Sequence, residues 1–92
     1  MAVSRAERRS ERTARATELF GTRAGAALDL LELLELAWHD CYDEVTPPEQ
    51  VIEDIWVVSG GDLADLVAAV HLAVTDFRDL RLAADSRRGD GG

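Results

Sequence analysis

The chain has 92 residues, ten arginines, no lysine and 18 carboxylates, for a formal net charge of −8. That length holds one domain at most, and the acidity argues against nucleic acid or an anionic membrane as partner. One cysteine, Cys41, excludes an internal disulfide and fits a reducing cytoplasm; no apolar h-region opens the chain, and no apolar run nears the roughly 20 residues of a membrane span.

The charge is segregated. Residues 24–80 hold thirteen carboxylates and one basic residue, Arg78, whereas residues 1–23 carry six arginines against three glutamates. Residues 1–22 are good helix formers without an apolar face, so an arm that is flexible or partly helical is expected. Glu11 and Arg15 form a favourable i,i+4 pair. The arm either stays solvated, folds back on the acidic body, or offers its arginines to phosphates.

From Phe20 the apolar spacing becomes regular. Phe20, Ala24, Ala27, Leu31, Leu34, Trp38, Cys41 and Val45 alternate steps of four and three, which predicts a helix over 23–44. Leu28, Leu30, Leu33, Leu36 and Ala37 widen its apolar surface beyond one seam, so it should be covered on two sides. Thr46-Pro47-Pro48-Glu49 reads as an N-cap, a proline at the first helical position and a capping-box glutamate. A short helix over 47–58 follows; the run 55–58 could also form a strand, but no partner strand is visible. Ser59-Gly60-Gly61-Asp62 breaks the chain. A third helix then runs to about residue 84 on the seam of Leu63, Val67, Val70, Val74 and Phe77. Residues 86–92 read as a disordered tail.

The expected fold is therefore all-α: an acidic helical domain over 23–85, built as a hairpin of two long helices with a short helix across one end. A domain this small gains burial by pairing. A homodimer forming a four-helix-type bundle is expected, with an interface of Leu30, Leu31, Leu33, Leu34, Trp38 and Leu72.

No catalytic constellation stands out. Glu35, His39 and Asp43, at i, i+4 and i+8, are the candidates for a metal site, yet they lie on the polar stripe where charged groups face water. Cys41 reads as a small buried hydrophobe. His39-Asp40-Cys41-Tyr42 is similar to the His-Asp-x-Cys-Tyr helix of secreted phospholipases, where the histidine activates water and the aspartate binds calcium. The residue before the cysteine is missing here, as are a glycine-rich calcium loop and a second cysteine. No cofactor is expected. The sequence reads best as a non-enzymatic protein–protein interaction module, a regulatory or adaptor subunit. The alternatives are a nucleic-acid-related protein, either a DNA mimic through the acidic body or a binder through the arginine arm, and a metal-binding bundle enzyme.

Overall fold

A computed structural model describes residues 4–90. The fold is all-helical, with no strand among the described residues. Helix α1 spans Arg5–Phe20, a 3-10 turn Gly21–Arg23, α2 Ala24–Tyr42, α3 Glu49–Ser59 and α4 Leu63–Asp90.

The segment expected as a flexible or partly helical arm is helical over Arg5–Phe20. The Ser4 hydroxyl caps α1 by accepting the Glu7 N–H. Arg8 and Arg12 of α1 meet Glu35 near the end of α2, so the two helices run antiparallel. Only Ala16 and Phe20, in the last turns of α1, are buried apolar residues. The rest of the helix is held by charge.

Helix α2 ends two residues earlier than its apolar spacing suggests. Asp43 caps it in the left-handed conformation, φ 57°, which Asp tolerates better than most residues. This turn takes Val45 off the seam and leaves it exposed. Cys41, expected in the core, is exposed too. The seam proper is Ala27, Leu31, Leu34 and Trp38, all buried.

The capping box before α3 does not form. The helix begins at Glu49 with Pro48 as its cap, whose carbonyl accepts from Val51 and Ile52. Thr46 is diverted: its hydroxyl accepts from Arg12. Helix α3 buries Val51, Ile52, Ile55 and Trp56 and lies lengthwise along α4, its most extensive partner, rather than across an end.

Helix α4 is two helices joined at Asp76, whose backbone is extended, φ −160° and ψ 91°. The Asp76 carboxylate accepts from the N–H groups of Arg78 at 3.0 Å and Asp79 at 3.3 Å, which makes it the N-cap of a new helix. A straight helix of 28 residues would be about 42 Å long, and the longest extent of the whole molecule is 37 Å. The first half runs parallel to α2, bringing Phe77 to Trp38 and Tyr42. The Tyr42 hydroxyl donates to the Val74 carbonyl, near the end of that half. The second half doubles back along α3, where Arg88 meets Asp54 at 2.8 Å. Residues 86–90, expected as tail, are thus helical, and 91–92 lie outside the described residues.

The turn into α4 is closed by Gly61. It sits at φ +86°, and a Cβ there would lie 2.6 Å from the Leu19 carbonyl oxygen. Only glycine fits so close an approach at that φ.

Candidate functional site

The chemistry of the fold concentrates along α2, which has a different neighbour on each side. One edge carries the charged cluster. Glu35 is 2 % exposed. Arg8 grips it with Nε and Nη2, the latter 3.1 Å from Oε1, and Arg12 Nη1 donates to Oε2 at 3.0 Å. Arg5 Nε stands 3.9 Å away. Next along the edge, Arg9 Nη1 bridges Asp29 at 2.8 Å and Glu32 at 2.9 Å. Arg15 reaches Glu53 of α3 with both terminal nitrogens.

Burial pushes the Glu35 carboxyl upward, but hydrogen bonds from Arg8, Thr46 and Arg12 outweigh it and hold the group below the ordinary glutamate range. The same bond raises Arg8, and the bond to Asp29 raises Arg9. Apolar replacement of a whole buried cluster of this kind is often neutral, whereas removing one partner from it is costly.

Glu35 is therefore no surface ligand. The structure separates it from the other two metal candidates. His39 is exposed and its Nε2 lies 3.8 Å from Asp43 Oδ1, while Glu35 turns inward to the arginines. No group of three His, Cys, Asp or Glu is placed to hold a metal ion among the described residues. His39 and Cys41 are both exposed and sit on different faces of α2.

The expected interface residues also divide. Leu31, Leu34 and Trp38 are inside this chain's own core, and Leu30 and Leu72 are half-buried against it. None of the three buried side chains is available to a second copy. Leu33 is different: it is 60 % exposed, and Leu36, three residues on, is 49 % exposed. Leu36, Asp40 and Val45 share a groove of about 460 Å³ with Arg5, Arg8, Glu35 and His39.

Folding back of the arm on the acidic body is one of the three expectations, and the fold shows it, as an arginine seam. Its signal was the spacing of Arg5, Arg8, Arg12, Arg15 and Leu19, the same three-four repeat that marks the apolar seams. Of that stripe only Arg8 and Arg12 are buried, while Arg5 and Arg15 stay partly exposed. Comparison with family models, curated proteins and solved structures finds no match to this chain.

Proposed function

We propose that this chain is a protein–protein interaction module, acting as a small regulatory or adaptor subunit. The observation that carries the reading is the outer face of α2. Its inner side completes a core within one chain, and still Leu33 and Leu36 face out, Leu36 sharing a groove with exposed Val45. Contiguous exposed apolar side chains rimmed by charge mark association surfaces.

The arginine arm does not favour nucleic acid. Arg8, Arg9, Arg12 and Arg15 are all engaged by carboxylates of the body, so phosphate contacts would have to break those pairs. A homodimer through the outer face of α2 meets a different obstacle. An antiparallel two-fold that sets Leu33 against Leu36 sets Asp29 against Asp40, like charge on like. A heterotypic partner avoids that repulsion.

The test is to express the chain in its native host at natural level, recover its complexes and weigh them. A stoichiometric protein partner, lost with Leu33→Ser/Leu36→Ser, is the expected result. A chain that sediments as a lone monomer and elutes without a partner refutes the reading.

A further inference from the structure

We infer that the outer face of α2 docks a basic amphipathic helix carrying Arg or Lys, an apolar residue, an apolar residue and Arg or Lys at successive steps of four, three and four. This rests on the interaction-module reading and names the chemistry of its partner.

The pattern is read from α2 itself. Asp29, Leu33, Leu36 and Asp40 stand at those steps, and in a helix turning 100° per residue they fall within a stripe about 60° wide. Both leucines are exposed, and the side chains of Asp29 and Asp40 are 68 % and 87 % exposed. Asp29 accepts one bond from Arg9 Nη1, which leaves its second oxygen for another donor. No Lys or Arg occurs anywhere in Ala24–Tyr42, so the charge of this helix is entirely one sign.

The occupant follows by complementarity. Apolar side chains at the centre of a contact supply burial, and charges at its ends select orientation and partner. A helix in a groove is read through anchors at three- and four-residue spacing. An acidic helix would place like charges opposite Asp29 and Asp40. The chain already shows the mode on the neighbouring edge: α1 is an arginine helix, and it docks on α2 through Asp29, Glu32 and Glu35. The partner would lie along the next strip of the same helix, its apolar residues meeting Val45 across the groove that Leu36 and Asp40 share with His39, Arg5 and Arg8, the two arginines being turned to Glu35.

A labelled synthetic helix of about 19 residues, matching α2 in length, with Lys-x3-Leu-x2-Leu-x3-Lys at its centre, is titrated into the full-length protein and followed by fluorescence anisotropy. Binding is expected, weakening as salt rises. Leu33→Ser/Leu36→Ser should weaken it about tenfold or more, as loss of central anchors does, and Asp29→Asn/Asp40→Asn should remove most of its salt dependence. Val67→Ser and Leu82→Ser, exposed apolar positions on other faces, should leave it unchanged. A peptide with Glu for both Lys should bind only after Asp29→Lys/Asp40→Lys. Circular dichroism confirms that each variant remains folded. Failure of the lysine peptide to bind, or binding equally strong to Leu33→Ser/Leu36→Ser, overturns the inference. If a host partner is recovered in stoichiometric amount but the peptide does not displace it, the module reading stands and this inference falls; if there is neither partner nor peptide binding, both fall.

Discussion

Replacing Glu35 by Gln keeps the shape of the side chain and removes its charge. In the native fold that charge faces two guanidinium groups, Arg8 and Arg12, each only 9 % exposed. Gln can accept one of their hydrogen bonds but removes the carboxylate that both guanidinium groups face out of water. Removing one partner from a buried ion pair costs about 3–5 kcal/mol. A domain of this size has about 5–14 kcal/mol in total, so the variant should lose a large share of its denaturation midpoint. The pH dependence supplies a second readout. Glu35 lies lower in the folded chain than in the unfolded one, so its contribution is fully present above the unfolded value, near about 4.3, and is lost as pH falls through the folded value. Wild-type stability should therefore drop on acidification below about pH 4.5 more steeply than that of Glu35→Gln. The combined change Arg8→Met, Arg12→Leu and Glu35→Leu should recover most of the loss, since apolar replacement of a buried ionic cluster is often neutral or stabilising. Urea titrations of the three proteins at pH 7 and pH 4 decide it. A Glu35→Gln midpoint within error of wild type would refute the docking of α1 on α2.

Other substitutions separate core from surface. Leu31→Ala or Leu34→Ala should cost about 2–5 kcal/mol, whereas Leu33→Ser/Leu36→Ser should stay within about 1 kcal/mol of wild type; chemical denaturation compares them. Gly61→Ala combines a φ of +86° with a Cβ 2.6 Å from the Leu19 carbonyl, and should lower stability by about 1–3 kcal/mol with a matching fall in melting temperature. Asp76→Ala removes the cap of the second half of α4 and should cost about 1 kcal/mol, with faster amide exchange at Arg78 and Asp79. Arg88→Met leaves Asp54, buried in α3, with Gln50 as its remaining side-chain donor and should cost about 1–3 kcal/mol, seen as early fraying of residues beyond Ala84.

The apolar parts of this fold were legible because their signal is periodic and local. Ala27, Leu31, Leu34 and Trp38 announced one face of α2, and Val51, Ile52 and Ile55 the buried side of α3. What the sequence hid was polar or conditional. The arm has no apolar stripe before Ala16, so propensity alone makes it marginal, and its order comes from carboxylates some twenty or more positions away. Asp76 has the residue type of a cap, yet Val70, Val74 and Phe77 carry the apolar spacing straight across it and conceal the break. Thr46 looked like a cap because its local sequence fits one, and a long-range bond to Arg12 outcompeted it. Leu33 and Leu31 look alike in a list of leucines; only the direction from which α1 and α4 approach makes one a core residue and the other a surface.

The charged seam between α1 and α2 repeats on both sides, with arginines three or four apart and carboxylates at Asp29, Glu32 and Glu35 three apart. Sliding would not preserve this seam. A slip of one turn, about 5.4 Å, would bring Arg12 or Arg5 where Arg8 now stands, but would put Thr13 or Ala6 where Arg9 bridges Asp29 and Glu32. A second stop lies at the far end of α1, where Ala16 is sealed and the Phe20 ring rests 6.2 Å from that of Trp56. Alignment is thus set twice along one helix, once by which arginine meets which carboxylate and once by an aromatic pin.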